Sequence, residues 1–213
     1  MTGPYEPTPE ERAAMQASPW IPKSPAELCQ AILDSFEREL GSKTPTQVPE
    51  LVHELKHKLE GAEYYLRKIG RAEGNDWWEA ESFLCQARGT LEMLARIVHA
   101  ILRNVPDSFD RDGMPIANAL RNQPQLSRHY ETSLGFADFI MDEKWIRELS
   151  AVRSATHHRY SLPSLAKAES GVVHLGGLTL EEFCIGKWLS LFKFSRKFME
   201  WSLTTAVEVE LND

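Results

Sequence analysis

From Ser24 onward, apolar residues recur at steps of three and four, the spacing of one face of an α-helix, and the pattern breaks at glycine, proline and short polar runs. In "SPAELCQAILDSFEREL", Leu28, Ile32, Phe36 and Leu40 share a face. Ser24 stands as N-cap, Pro25 at the first helical position and Glu27 three after the cap, and Gly41 stops the helix. A second amphipathic helix is predicted over Glu50 to Ile69, with Leu51, Leu55, Leu59, Ala62, Leu66 and Ile69 on the seam and Gly70 at its end. Asp76 with Glu79 opens a third and longest helix, whose stripe runs from Trp77 through Phe83, Leu84, Ala87, Leu91, Leu94, Val98, Ile101 and Leu102 to Val105-Pro106.

Between Pro106 and Ser127 the chain turns to Asp, Asn, Gln and Pro, which predicts a long connection holding one short helix around Ile116 to Arg121. Phe136, Phe139 and Ile140 then lead into a seam of Trp145, Leu149, Val152 and Thr156 that fails beyond His158, with Pro163 blocking continuation. "SGVVHLGGL" carries glycines around a β-branched run and predicts a small hairpin or an extended loop. Thr179 and Glu182 cap a final helix that buries Phe183, Trp188, Leu189, Phe192, Phe198 and Met199. Residues 1–23 carry several prolines and little periodicity, a lead-in with one short helical turn at Pro9 to Gln16. The expectation is one all-α domain over 24–213, an up-and-down antiparallel helical bundle, because mostly short links join long helices.

Composition narrows the partners. At 213 residues and 42% apolar the chain can close one core. A formal charge of -7 excludes a global basic field that would drive nonspecific nucleic-acid or anionic-membrane binding, so any RNA contact must rest on a local cluster. Cys29, Cys85 and Cys184 lie far apart within apolar helical patterns and read as small core residues in a reducing compartment. The N-terminus has no basic-then-apolar leader and no stretch approaches a membrane span, so a cytoplasmic protein without a membrane partner is expected.

Two clusters carry candidate chemistry. "HELKH", His53 to His57, matches H-E-x-x-H, in which histidines four apart share a helix face. The helical pattern places it beside the apolar seam, Lys56 and Lys58 put cations nearby, and no third ligand follows at the metzincin step. The expectation there is a solvated helix face, with neither a metal nor another cofactor. The second cluster is Arg153, Ser154, His157, His158 and Arg159 in "KWIRELSAVRSATHHRYSLP". Within a regular helix Arg153 shares a face with His157, whereas His158 lies about 140° away and joins Arg153 only if the last turn loosens or another chain completes the site. A histidine and an arginine so placed suit phosphodiester cleavage without metal: imidazole moves the proton of a 2′-hydroxyl and guanidinium steadies charge on phosphorus. The structural alternative is that Arg153 pairs with Glu148, Glu143 or a carbonyl, while His157, His158 and Arg159 complement the negative end of the helix dipole.

"WIRELSAVRSATHH" resembles the signature of the HEPN superfamily: an arginine, four to six residues, then a histidine near the end of a bundle helix. "GAEYYLRKI" and "EAESFLCQARGTLEML" are similar to the two early helices of HEPN-like bacterial proteins, so the resemblance spans about Glu50 to Arg159. It implies a HEPN-like bundle that forms a homodimer, bringing two Arg-His pairs into one cleft, and in active members a metal-independent endoribonuclease of toxin-antitoxin or defence systems. Carried onto this chain, Arg153 is the phosphate-binding arginine, His158 the catalytic histidine, His157 an alternative proton carrier, and Ser154 the polar residue after the arginine, where active members commonly have Asn, Asp or His. The resemblance also implies RNA as substrate and an antitoxin as partner. Its other branch is a non-catalytic nucleotide-binding or protein-interaction module.

Smaller features have structural explanations. Trp77-Trp78 can stack bases, but the expectation is that Trp77 packs in the core and Trp78 covers it, since aromatic residues at helical spacing usually bury. Lys193, Arg196 and Lys197 of "KFSRK" form a basic strip that guides RNA or lays its stems over apolar surface. "GSKT" at Gly41 to Thr44 lacks the rest of a phosphate-binding loop and reads as a plain connection.

Overall fold

A computed structural model describes residues 24–69, 76–102, 105–122, 137–141, 143–158, 167–169, 172–175 and 178–210. The lead-in 1–23, the predicted turn at Pro9 to Gln16, Phe136, Arg159 and Pro163 lie outside the described residues. The described chain is mostly helical: α1 Pro25–Leu40, α2 Val48–Leu66, α3 Asp76–Ile101, α4 Met114–Asn122, α5 Lys144–His158 and α6 Leu180–Glu210. Between α5 and α6 lie three short strands, β1 Lys167–Glu169, β2 Val172–Leu175 and β3 Leu178–Thr179, in an antiparallel sheet ordered β1-β2-β3. The hairpin alternative for the "SGVVHLGGL" stretch is thus the one realised, with a third strand pairing Leu178 to Leu175. The expected all-α class needs that small addition.

The helix ends follow local chemistry. Ser24 Oγ accepts the Glu27 N–H at 3.2 Å, satisfying one donor that the first turn of α1 leaves without a partner. Gly41 ends α1 with φ 53°, and its N–H reaches the carbonyls of Phe36 and Glu37. At α6 the reciprocal cap is complete: Thr179 Oγ1 accepts the Glu182 N–H at 3.2 Å, and Glu182 Oε2 accepts the Thr179 N–H at 2.9 Å. Gly41–Lys43 forms a single 3-10 turn, and the Thr44 that caps it donates its hydroxyl back to the Phe36 carbonyl.

Packing sets α2 and α6 against each other and against both α1 and α3, and α5 lies against α3, α6 and the 3-10 turn Asp110–Gly113. The α2–α3 pair is the tightest, helped by two glycines that each receive a long side chain from the other helix. A Cβ at Gly61 would stand 3.1 Å from Gln86 Cδ, and one at Gly89 would stand 3.1 Å from Lys58 Cδ. The core is apolar throughout these elements: Phe36, Leu55, Leu59, Phe83, Leu91, Leu94, Phe109, Phe194 and Phe198 are fully enclosed. Phe194 stacks on Phe139 and meets Phe109 and Trp145 edge-on, so one ring ties α6 to three preceding segments.

Several expectations change in detail. Val48 and Val52 carry the inner face of α2, with Leu51 at its edge. Leu189 is 41% exposed, and Cys85 is exposed while Cys29 and Cys184 are buried. The stretch 137–141 is helical, but Glu143 is not, so the seam from Phe139 to Thr156 is two helical pieces rather than one. The Glu143 carbonyl accepts the Ile146 N–H at 3.1 Å at the start of α5, and Arg147 Nη1 donates to the Met141 carbonyl across the break. The short helix in the long connection is α4, with Ile116, Ala117 and Leu120 buried.

Candidate functional site

The candidate catalytic residues all belong to α5. Trp145, Ile146 and Leu149 anchor its first half in the core, and the helical backbone continues without a break through Arg153, Ser154, His157 and His158. Their side chains lie outside the described residues. The backbone nevertheless fixes how their positions relate. Positions 153 and 157 share a face, and position 158 sits about 140° from 153 around the axis. No loosened final turn brings positions 153 and 158 together before the helix ends. Within the one helix, position 157 rather than 158 therefore falls on the face of position 153.

Upstream on the same helix, Glu148 is held from two sides. Lys187 of α6, only 10% exposed at its side chain, pairs with Glu148 Oε2, and Lys144 Nζ lies 3.5 Å from Oε1. The hydrogen bond and charge of Lys187, followed by those of Lys144, hold the Glu148 carboxyl below its ordinary value against the opposing effect of partial burial. The Lys187 ammonium also sits 4.7 Å from the centre of the Phe183 ring. This cluster pins α5 to α6 one turn before Arg153. Sequence reasoning missed it, because Lys187 is a lone cation in an apolar run and its partner is 39 residues away.

The other features divide by exposure. His53 and His57 converge on the outer face of α2, with Nε2 atoms 2.9 Å apart. Among the described residues no group of three or more His, Cys, Asp or Glu side chains is arranged to hold a metal ion. Trp77 packs partly against the core, while Trp78 is 76% exposed. Trp78 lines a shallow surface depression of about 360 Å³ with Tyr65, Glu81, Ser82, Cys85 and Gln86. The basic strip on α6 is partly engaged: Lys197 Nζ lies 4.8 Å from the centre of the Phe139 ring, and Arg196 Nε is 3.5 Å from Glu200. Among the described residues no helix is long and apolar enough to cross a membrane. Burial pushes the thiols of Cys29 and Cys184 up to about 12.

Comparison with protein-family models, with curated proteins and with solved structures returns no match. The functional reading therefore stands on the residues of this chain.

Proposed function

We propose that the chain is a metal-independent endoribonuclease of HEPN type, an up-and-down antiparallel bundle acting as a homodimer in the cytoplasm within a toxin-antitoxin or defence system. The observation that carries the reading is the run of α5 as regular helix to His158, which puts Arg153 and His158 in the closing turns of a core-anchored helix. The helical phase between them asks for a second chain, and a twofold pairing of α5 ends supplies one.

In this reading an imidazole takes the proton from an RNA 2′-hydroxyl. The 2′-oxygen then forms a bond to phosphorus as the bond to the 5′-oxygen breaks. A protonated imidazole at the same seam returns a proton to that leaving oxygen, with His158 the first assignment and His157 the alternative. Arg153 steadies the charge on the non-bridging oxygens, since a guanidinium stays charged at working pH and its planar fork matches phosphate. Water supplies no atom to this first step, and the products are a 2′,3′-cyclic phosphate and a 5′-hydroxyl.

Ser154 favours a second reading. In place of Asn, Asp or His, a short hydroxyl reaches less far toward substrate, and a chain that binds RNA, a nucleotide or an antitoxin without cutting fits that residue. Incubating the purified protein with single-stranded RNA in EDTA, beside Arg153→Ala and His158→Ala variants, separates the two. Cleavage by the unmodified protein alone supports the nuclease. A folded dimer that leaves RNA intact supports the binding module.

A further inference from the structure

The outer face of α2 carries a feature the nuclease reading does not use. His53 and His57 lie one turn apart, both exposed, with their rings nearly perpendicular and their centres 4.4 Å apart. Their Nε2 atoms approach to 2.9 Å, a contact that in the neutral protein is one imidazole donating Nε2–H to the other. That separation also has a meaning in coordination geometry. At a metal–nitrogen distance of about 2.0–2.1 Å, ligands at right angles stand about 2.9 Å apart, whereas tetrahedral ligands stand about 3.4 Å apart.

The surroundings suit a cation. Glu60 Oε2 is 3.9 Å from His57 Nδ1, on the side of the ring away from the shared contact. The carboxylate stands beyond hydrogen-bond distance, but on the side of the ring where ligating histidines keep their outer carboxylate partner. Glu50 lies three residues before His53 and Glu60 three after His57, so the stripe reads carboxylate, imidazole, imidazole, carboxylate along one helix face. The two neighbouring lysines are drawn off: Lys56 Nζ is 3.7 Å from Glu60 Oε1, and the Lys58 stem leans over Gly89 of α3.

We propose that His53 and His57 form a two-imidazole chelate for a divalent late transition cation with square-planar or octahedral preference, of the Cu(II) or Ni(II) class, whose remaining positions are filled by water. The proposal is of a binding site alone, since among the described residues no third protein side chain joins the two imidazoles around a metal ion. It is independent of the Arg153 cluster.

The test is titration of the untagged full chain with Ni²⁺ by calorimetry, and with Cu²⁺ by electron paramagnetic resonance, beside His53→Ala and His57→Ala variants. Both residues are exposed, so circular dichroism should show all three proteins equally folded. The expected result is one high-affinity Ni²⁺ per chain, weakened about a hundredfold in either variant because a chelate becomes a single ligand. The Cu²⁺ spectrum should show coupling to two nitrogens in the unmodified protein, reduced in each variant. Acidification should release the metal, since ligating imidazoles must be neutral. Isotherms unchanged in either variant, or no saturable site in the unmodified chain, would overturn the proposal.

Discussion

Glu92 and Phe109 are joined through the backbone: Glu92 Oε2 accepts the Phe109 N–H at 2.9 Å. The other oxygen of Glu92 pairs with Arg88 at 2.8 Å, and Arg88 Nη2 donates in turn to the Phe109 carbonyl at 2.8 Å. One turn of α3 thus grips both polar groups of a residue whose ring is fully enclosed against Phe194 and Phe198. A non-helical backbone can enter the core only if its N–H and C=O are satisfied, and this pair satisfies them. Glu92→Ala should therefore cost about 2–3 kcal/mol, the effect of stranding a buried N–H and loosening a partly buried arginine. Urea unfolding should show a lower midpoint with an unchanged slope, and an unaltered midpoint would mean that the loop is held by its ring alone.

The same loop depends on Gly113. Its φ is 83°, and a Cβ there would stand 2.6 Å from Ile140 Cγ2 and 2.9 Å from Phe109 Cζ. Gly113→Ala meets both a left-handed backbone penalty and an overpacked core, for about 2–4 kcal/mol together. Gly41→Ala has the positive φ but open space around it, so its cost should be the smaller. Thermal melts of the two variants compare them directly.

Helix caps, and the short helix in the long connection, were legible because each is a local matter. Ser24 and the Thr179–Glu182 pair act over three residues, and Ile116 to Arg121 carry the period of α4 within themselves. The break at Glu143 was not read, since apolar residues on both sides are buried and the five-residue step from Ile140 to Trp145 looked like continuation. That step turns about 140°, whereas steps of three or four residues stay within about 60° of the seam, and this was the available sign of a change in phase. Cys85 was misread for a similar reason. It sits about 100° beyond Leu84, just past the edge of the inward stripe, and only the packed bundle shows where that edge falls. Pairs distant in sequence, such as Glu148 with Lys187, leave no periodic trace. Of the candidate site, the sequence supplied the residues and the helix that bears them.

Thiol chemistry should follow that placement. Cys85 is exposed in the depression beside Trp78, whereas Cys29 and Cys184 are buried with thiols pushed up to about 12. A disulfide reagent at pH 8 should titrate one thiol in the native protein and three after denaturation. Cys85→Ser should abolish the native reaction, and rapid labelling of a second cysteine would show that the α1 or α6 packing opens easily.

Acid should loosen α5 from α6. The folded-state value of Glu148 is lowered, so its contribution to stability is fully present above the unfolded value and is lost as pH falls through the folded one. The window thus lies at and below the ordinary glutamate value of 4.5. Glu148→Ala should cost about 2 kcal/mol at neutral pH, less than a fully buried pair because the carboxylate is 41% exposed, while Lys187 is left nearly buried without its partner. Melts from pH 7 to 3 should show a smaller loss of stability in the variant than in the unmodified chain.

The most direct test of the proposed activity is analysis of RNA ends after incubation with the purified protein in EDTA. Fragments bearing 2′,3′-cyclic phosphate and 5′-hydroxyl termini, formed by the unmodified chain and absent with Arg153→Ala or His158→Ala, are the predicted outcome. Intact RNA in the presence of folded protein, or cleavage that persists in both variants, would contradict it.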